Sequence, residues 1–537
     1  MNAVAAQTNS TAPLLQLQSL CVHLAGRDTP LLGPIDLSLR EGECLGLIGE
    51  SGSGKSLTVL ALMGLLPPGL HASGALHWDG SAVPWNSSAQ HALRGRALAW
   101  MPQDPQASLH PLRTLGAQLE ESLRLRRGLD RAAARSEARR LFDELELPMP
   151  AELLQRFPHQ ISGGQRQRVG LALALSGAPR ILLADEPTSA LDPRLAGEML
   201  ALLDRLRRER GLGLVLVSHD LPLVGRHADR VLILQGGHEV ESGRTAEVFA
   251  APRAEYTRDL LAADRLPAPL PAALGETLLE VVDLDVRYPR SPEPAVRQAS
   301  LQLRRGECLA LIGASGSGKS SLGRALLRLL RHGVSGEVRF LGEDLLRADR
   351  SALRRLRGRI GVVFQDPYAS LDPRMRIGEI VAEPLRIHTQ LDESARKTRV
   401  AELLAQVGLA DPDLAARYPH QFSGGQRQRI AIARALACRP DLLLCDEAVS
   451  ALDARHRADI LALLARLKVE QGLAMLFITH DLGAAKALAD RAALMQGGHL
   501  RGPGPAAELL DRAGEAWGQG KEADEEAGAG DLASASH

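Results

Sequence analysis

The chain carries one ordered set of short motifs twice, and this duplication constrains its fold more than any other feature. The set is a glycine-rich loop, a Ser-Gly-Gly-Gln segment, an Asp-Glu pair and a histidine followed by aspartate. The second copy follows the first by 264 residues at the loop lysine (319 − 55) and by 261 at the Asp-Glu pair (446 − 185). Solenoid units span only about 20–50 residues, so a repeat this long indicates a duplicated domain.

Length and composition agree with two soluble domains. A chain of 537 residues is too long for one core, whereas half of it suits a domain. Lys plus Arg equals Asp plus Glu at 64 each, which argues against a nucleic-acid-binding protein. No apolar run reaches the roughly 18 residues of a membrane span, and residues 1–13 lack the features of a signal peptide. We therefore expect a chain that stays in the cytoplasm, with any membrane spans supplied by other chains.

Each half reads as an α/β domain, because short apolar runs alternate with longer helical patterns, as in a mainly parallel sheet. A more helical segment, 115–154, predicts a subdomain set apart from the sheet. The predicted organisation is a flexible N-terminus (1–13), a first domain (14–263), a Pro-rich linker (264–275), a second domain (276–513) and a disordered tail (514–537).

Three predicted strands of the first domain end on polar residues. Residues 44–48 lead into the glycine-rich loop, residues 181–184 end at Asp185, and residues 214–217 precede His219. Ligands of parallel α/β sheets bind at the carboxyl ends of the strands. The sequence therefore predicts one site at this edge of the sheet.

The glycine-rich loops match Gly-x-x-x-x-Gly-Lys-Ser, the P-loop pattern. Glycines let successive backbone N–H groups point at one anion, and the next helix directs its positive end at the same phosphates. We expect Lys55 and Lys319 to reach the β- and γ-phosphates, and Ser56 and Ser320 to bind Mg²⁺. The predicted ATP-binding loop residues are Gly49, Glu50, Ser51, Gly52, Ser53, Gly54, Lys55 and Ser56, and Gly313, Ala314, Ser315, Gly316, Ser317, Gly318, Lys319, Ser320 and Ser321.

Acidic residues and histidines follow the later strands of each copy. The aspartate suits a second Mg²⁺ contact, the adjacent glutamate can polarise an attacking water, and the histidine can contact the γ-phosphate. A single Asp-Glu pair can be a helix cap and a single His a core residue, but recurrence at an offset of 261 favours function. The residues are Asp185, Glu186 and His219, and Asp446, Glu447 and His480.

The Ser-Gly-Gly-Gln segments predict a second kind of anion site. Serine is a preferred N-cap, the glycines expose backbone N–H groups, and residues 165–176 fit the helix behind them. Because the segment lies far along the chain from the P-loop, it can serve a different nucleotide. Its residues are Ser162, Gly163, Gly164 and Gln165, and Ser423, Gly424, Gly425 and Gln426.

In order and content these motifs, with Ser-Ala-Leu-Asp at 189–192 and 450–453, resemble a tandem pair of ATP-binding cassettes of an ABC transporter over about residues 14–513. The resemblance implies two P-loop NTPase domains, each with a RecA-like parallel-sheet core, an antiparallel β subdomain and a helical subdomain. It also implies head-to-tail closure, with each P-loop facing the other copy's Ser-Gly-Gly-Gln segment across one ATP. By the same resemblance Gln103 and Gln365 sense Mg²⁺ and γ-phosphate, and Tyr288 stacks on adenine where the first copy has Leu24.

Segments 103–109, 365–373 and 252–261 resemble the oligopeptide, dipeptide and nickel uptake group, although Ala254 and Glu255 replace the usual His-Pro. This narrower resemblance implies an importer ATPase for peptides, glutathione or microcin-type compounds, using ATP and Mg²⁺. Its expected partners are two transmembrane permeases and a periplasmic or extracellular substrate-binding protein, with the chain held peripherally at the cytoplasmic face of the inner membrane.

Three other functions known for cassette ATPases fit this sequence less well. A ribosome-acting twin-cassette ATPase of the ABC-F type usually has a long charged linker, whereas residues 264–275 are short and Pro-rich. A DNA-repair cassette ATPase is expected to bring zinc-binding cysteine pairs and a basic surface. A twin-cassette sugar importer commonly has one degraded motif set, and both sets are intact here.

Overall fold

The computed structural model describes residues 12–27, 29–50, 52–104, 108–188, 191, 193–263, 266, 269–270, 274–289, 291, 293–330, 332–366, 370–450 and 452–518, with the backbone alone at 193, 263 and 515–518. Most of the predicted flexible N-terminus, Pro-rich linker and disordered tail lies outside these residues. Contacts divide the chain into two compact units, one of residues 1–191 and 195–264 and the other of residues 192–194 and 265–537.

The first unit contains two sheets. Its strands are β1 (Leu15–Leu24), β2 (Leu32–Leu39), β3 (Cys44–Ile48), β4 (Leu70–Trp78), β5 (Ser81–Ala82), β6 (Leu98–Met101), β7 (Ile181–Asp185), β8 (Gly213–Ser218), β9 (Arg230–Gln235) and β10 (His238–Arg244). One sheet is antiparallel with the order β2-β1-β4-β5. The other has the order β10-β9-β3-β8-β7-β6 and is parallel except for β10. The predicted strands 44–48, 181–184 and 214–217 are confirmed as β3, β7 and β8.

Helices follow or cover these strands. They are α1 (Lys55–Met63), α2 (Ser88–Leu93), α3 (Leu115–Arg127), α4 (Arg131–Glu144), α5 (Pro150–Leu153), α6 (Gly163–Leu175), α7 (Pro193–Arg210), α8 (Leu221–His227), α9 (Thr245–Ala250) and α10 (Glu255–Ala263). The predicted helical segment 115–154 is therefore α3 to α5, and the helix predicted for 165–176 is α6.

The core of the first unit lies on both faces of the parallel sheet. Every residue of β3 is buried, as expected for a central strand covered on both sides. Alternate residues of a strand point to opposite faces, so Cys44 and Ile48 join the hydrophobic cluster that includes α3 to α6. Leu45 and Leu47 join the cluster formed with the antiparallel sheet. The helical segment thus shares a continuous core with one face of the sheet.

The second unit repeats this plan with its two sheets joined. Its strands are β11 (Thr277–Val286), β12 (Val296–Arg304), β13 (Cys308–Ile312), β14 (Val334–Phe340), β15 (Glu343–Asp344), β16 (Ile360–Val363), β17 (Leu442–Asp446), β18 (Ala474–Thr479), β19 (Arg491–Gln496) and β20 (His499–Pro505). They form one sheet in the order β15-β14-β11-β12-β20-β19-β13-β18-β17-β16. The pair Arg297 and His499 connects the antiparallel and parallel parts.

The helices of the second unit also resemble those of the first in order. They are α11 (Lys319–Leu326), α12 (Arg350–Arg357), α13 (Ile377–His388), α14 (Glu393–Gln406), α15 (Gly424–Ala435), α16 (Ala454–Gln471), α17 (Leu482–Leu488) and α18 (Ala506–Gly518). Helix α18 continues past residue 513, where the sequence predicts the domain to end. Within the residues that the structure covers, no helix has both the length and the apolar character that crossing a bilayer requires.

Candidate functional site

The two P-loops require glycine immediately before their helices. Gly54 and Gly318, the N-caps of α1 and α11, have φ of 107° and 113°, in the left-handed region. A Cβ on Gly54 would lie 2.3 Å from Leu32 Cδ1, and one on Gly318 would lie 2.2 Å from the Ala295 carbonyl oxygen. The left-handed backbone therefore favours glycine at both turns, and at Gly318 the backbone carbonyl also leaves no room for a Cβ.

The P-loop lysines are buried and held by their own loops. Lys55 Nζ donates to the carbonyl oxygens of Gly49 at 2.6 Å and Glu50 at 2.8 Å. This contact places the ammonium group at the loop that is expected to wrap the phosphates. In the second unit, Lys319 Nζ donates to the carbonyl oxygens of Gly313 at 2.7 Å and Ala314 at 2.8 Å.

Each P-loop also contains a buried hydroxyl that fits a phosphate ligand. Within the described part of the chain, Ser53 Oγ and Ser317 Oγ have no hydrogen-bond partner, although both residues are almost fully buried. Buried polar groups are normally paired, so an orphan at the same place in both loops needs an explanation. A bound phosphate oxygen would accept a hydrogen bond from each hydroxyl.

The order of the parallel strands gathers the other predicted residues at one edge. Strands β3, β8, β7 and β6 are neighbours and parallel, so their carboxyl ends meet on the same side. The P-loop follows β3, His219 follows β8, Asp185 ends β7 and Gln103 follows β6. The second unit repeats this with β13, β18, β17 and β16. The predicted site residues of each unit thus lie at the edge formed by the carboxyl ends of its parallel strands, as the sequence predicts.

A glutamate links the glutamine and histidine in each unit. Gln103 Nε2 donates to Glu186 Oε2 at 2.8 Å, and His219 Nδ1 lies 3.1 Å from Glu186 Oε1. Both carboxylate oxygens of Glu186 are therefore oriented by neighbours at the site. In the second unit Gln365 Nε2 donates to Glu447 Oε2 at 2.8 Å, and His480 Nδ1 lies 3.4 Å from Glu447 Oε1.

These glutamates have a strained backbone. Glu186 has φ of 47° and Glu447 has φ of 51°, in the left-handed region that non-glycine residues seldom adopt. Each backbone N–H donates to the carbonyl of a residue on the neighbouring strand, Val217 at 2.9 Å and Ile478 at 2.8 Å. Strain of this kind costs about 1–3 kcal/mol and concentrates at functional sites. Its occurrence at both glutamates supports a chemical role.

Burial sets the electrostatics of the aspartates. It raises the pKa of Asp185 to about 6; the charge of Glu186 adds to the rise and Lys55 opposes it. Burial also raises the pKa of Asp446, against a hydrogen bond from Ser320 Oγ to Asp446 Oδ1 of 3.1 Å. A carboxylate this poorly solvated favours a cation, and a Ser–Asp pair of oxygen donors fits Mg²⁺.

The second unit shows how the histidine acts on the glutamate. Burial works to raise the pKa of Glu447, but the hydrogen bond from His480 and the charges of His480 and Lys319 outweigh it. The pKa of Glu447 therefore lies below its ordinary value. An ionised carboxylate is the form that can accept a proton from water.

The Ser-Gly-Gly-Gln segments form the N-termini of α6 and α15. Ser162 Oγ accepts from the Gln165 N–H at 3.3 Å, and Gln165 Oε1 accepts from the Ser162 N–H at 3.1 Å, a capping box at the start of α6. Ser162 and Gly163 are exposed. Ser423 and Gln426 form the same box on α15, at 3.4 Å and 3.1 Å.

The two positions predicted to meet adenine differ in local structure. Strand registers align Leu15 with Leu279, an offset of 264, so Leu24 corresponds to Tyr288. Leu24 stays within β1, paired with Leu70. Tyr288 lies beyond the end of β11, and its hydroxyl is 3.2 Å from Ser321 Oγ.

Some predicted residues fall outside the described part of the chain. They are Ser51 of the first P-loop, Ser189, Ala190 and Asp192 of the first Ser-Ala-Leu-Asp motif, Ala451 of the second, and residues 105–107 and 367–369.

One contact at the first site is not predicted from the sequence. The backbone N–H of Glu50 donates to the hydroxyl of Tyr256, on α10, at 3.3 Å. Tyr256 follows Glu50 by 206 residues, so only the fold brings the two together. The sole signal in the sequence is that Tyr256 belongs to a tail segment resembling one uptake group.

Comparison with known proteins identifies the family. A family model described as ABC transporter matches residues 32–189 and 296–450. The glutathione import ATP-binding protein GsiA of Escherichia coli (strain K12) is 42% identical, over 88% of this chain and 82% of that protein. The peptidoglycan transport ATP-binding protein YejF of Agrobacterium fabrum (strain C58 / ATCC 33970) is 40% identical, over 94% of both chains.

A solved structure supports the fold. The complex of the archaeal ribosomal stalk protein aP1 with the archaeal ribosome recycling factor aABCE1 contains a chain that aligns with 93% of this one, with a TM-score of 0.63. At 21% identity this likeness shows the fold alone. The predicted α/β fold with two fused cassettes is confirmed. The chain belongs to the ABC transporter family, as a fused pair of ATP-binding cassettes that bind and hydrolyse ATP.

Proposed function

We propose that the chain powers an importer that takes up peptides or peptide-like compounds, including glutathione, through separate transmembrane permeases. The observation that carries this is similarity at about 40% identity over nearly the whole chain to ATP-binding proteins named for glutathione import and peptidoglycan transport. The permeases would hold the chain at the cytoplasmic face of the inner membrane. A periplasmic or extracellular binding protein would deliver the substrate.

The two cassettes, residues 14–263 and 276–513, would pair head to tail and form two composite ATP sites. In the first site the residues around Lys55 face the second capping box, Ser423 to Gln426. In the second, those around Lys319 face Ser162 to Gln165. Two features support this arrangement: both units carry the complete motif set, and the first capping box begins with the exposed Ser162 and Gly163.

Each residue of a site then has a defined task. The P-loop N–H groups and Lys55 or Lys319 bind the β- and γ-phosphates, and Tyr288 with Ser321 borders the adenine of the second site. Mg²⁺, when bound, neutralises charge on the β- and γ-phosphate oxygens. Its protein ligands would be Ser56, Gln103 and Asp185, and Ser320, Gln365 and Asp446.

Hydrolysis needs a water held in line with the γ-phosphate. Glu186 and Glu447 would orient that water and draw its proton, and the amide of Gln103 or Gln365 fixes the carboxylate. His219 and His480 would donate a hydrogen bond to the γ-phosphate. In the P-loop, the short contacts of Lys55 with loop carbonyls would open as the ammonium turns to the phosphates.

The test is to isolate the membrane proteins that co-purify with this chain and to reconstitute them with it in proteoliposomes, together with their binding protein. We expect ATP-dependent uptake of labelled oligopeptides or glutathione, and none of maltose or ribose. Sugar uptake would place the chain with the twin-cassette sugar importers instead. ATP turnover that depends on ribosomes, with no association with the permeases, would contradict an importer.

A further inference from the structure

Helix α10 packs against the loop that forms the first nucleotide site. The Tyr256 hydroxyl accepts the 3.3 Å hydrogen bond from the Glu50 N–H described above. Tyr256 is buried, with 8% of its surface exposed, and shares a hydrophobic cluster with Leu260 of the same helix and Ile48 at the end of β3. The tyrosine therefore touches the P-loop at its first residues, directly after the strand that carries it.

The position of α10 is fixed by a carboxylate. Glu241 of β10 accepts hydrogen bonds from the backbone N–H groups of Arg253 at 2.9 Å and Ala254 at 3.2 Å, just before α10 begins. A carboxylate at the start of a helix also interacts favourably with the helix dipole. Strand β10 thus fixes the position of Tyr256 through Glu241.

Glu50 connects this helix to the phosphate-binding lysine. Its carbonyl oxygen accepts a hydrogen bond from Lys55 Nζ at 2.8 Å, and its backbone N–H donates one to the Tyr256 hydroxyl. We propose that Tyr256 is a positioning residue of the Lys55 site, whose hydroxyl holds the start of the P-loop in the conformation that binds the triphosphate. This inference rests on the Lys55 site proposed above.

The second cassette lacks the carboxylate that holds α10 in the first, because Gly502 stands at the position of Glu241 (502 − 241 = 261). Ala314, at the position of Glu50 (314 − 50 = 264), keeps the backbone carbonyl that accepts from the P-loop lysine. The chain after β20 forms the single helix α18, whereas the first cassette has α9, a break and α10. The effect of Tyr256 should therefore belong to the Lys55 site alone, and the Lys319 site serves as an internal reference.

Helix α10 is the last helix of the first cassette. The helix ends at Ala263, where the first cassette leads into the segment that joins it to the second. A hydrogen bond from the P-loop to α10 therefore links the first nucleotide loop to the connection between cassettes. Nucleotide affinity at the Lys55 site then depends on how α10 is held.

The experiment measures ATP binding to each site separately in the full chain. The Lys319→Ala variant leaves the Lys55 site as the binding site, and Lys55→Ala leaves the other. Adding Tyr256→Phe removes one hydroxyl and keeps the buried ring. A typical intramolecular hydrogen bond implies a loss of about 2- to 12-fold in ATP affinity at the Lys55 site. Affinity at the Lys319 site should not change.

Asp259→Asn is the matched control, because it alters an exposed residue of α10 and leaves Tyr256 and the contacts of Glu241 in place. Unchanged affinity of Tyr256→Phe at the Lys55 site would overturn the inference. Equal loosening of both sites, or the same loosening by Asp259→Asn, would show a general disturbance and overturn it as well. Failure of Lys319→Ala alone to bind ATP would instead refute the Lys55 site, and this inference with it.

Discussion

At the scale of single residues, Glu186 and Glu447 carry the most specific prediction about the chemistry of hydrolysis. Their left-handed backbone and their contacts to glutamine and histidine recur in both cassettes. Glu186→Gln or Glu447→Gln should keep ATP binding and slow hydrolysis, since general-base catalysis contributes about 10²- to 10⁴-fold. Single-turnover ATPase assays beside nucleotide titration would measure this. The exposed Glu209→Gln should change neither, and a variant that loses binding but hydrolyses bound ATP normally would contradict the role.

Asp185 gives a prediction about pH. Its folded pKa of about 6 exceeds the ordinary 3.8, so the folded protein holds this proton more tightly than the unfolded chain. The ionised group therefore destabilises the folded state fully above about pH 6, and this penalty fades as the pH falls towards 4. Asp185→Asn should stabilise the nucleotide-free chain at pH 8 by on the order of 2–3 kcal/mol.

Unfolding midpoints with and without this substitution, measured from pH 4 to pH 8, test the sign. The gain should shrink towards pH 4, where the aspartate is protonated in the folded state and is beginning to be protonated in the unfolded chain. Asp259→Asn, at an exposed position of α10, should give no such trend. A gain that is independent of pH would mean that titration of Asp185 is not its cause.

At the scale of elements, the length of the antiparallel pairing between β1 and β4 distinguishes the two positions predicted to meet adenine. Pairing in the first cassette extends to Leu24 and Leu70, whereas β11 pairs with β14 only as far as Val286. We expect Tyr288→Leu to weaken ATP binding at the Lys319 site. Leu24→Tyr should tighten the Lys55 site by less, since the strand holds that residue. Base stacking on aromatics is worth about 1–3 kcal/mol in single-strand binding, which bounds both effects.

Nucleotide titration of each substitution in the single-site variants would measure the difference. The asymmetry does not exist if neither substitution moves the affinity of its own site. Tightening by Leu24→Tyr as large as the loss from Tyr288→Leu would show that the longer pairing of β1 with β4 does not constrain the residue.

The sequence predicts the sheet edge well and the long-range contacts poorly. Buried parallel strands are continuous apolar runs, so the strands before the P-loop, before Glu186 and before His219 are predicted to within about one residue. The left-handed conformation of Glu186 and the contact of Tyr256 with Glu50 depend on residues far apart in the chain. No local pattern encodes them, and the same holds for the joining of two sheets into one in the second unit.

At the scale of the whole molecule, the chain contains two ATP-binding cassettes with the same fold, the same motifs and the same local geometry at the described site residues. Each has its own buried lysine, orphan serine hydroxyl and oriented glutamate. No motif residue is replaced in a way that would make one site a passive binder. We therefore expect the proposed importer to need hydrolysis at both sites.

The most direct test is ATP-driven uptake by the reconstituted transporter carrying Lys55→Ala or Lys319→Ala, with the exposed Lys397→Ala as control. Each P-loop substitution should reduce both uptake and ATP turnover to a small fraction of the wild-type rate, because either loss removes the triphosphate contact from one of two required sites. The control should transport normally. Near-wild-type uptake by either P-loop variant would contradict the account that both sites drive transport.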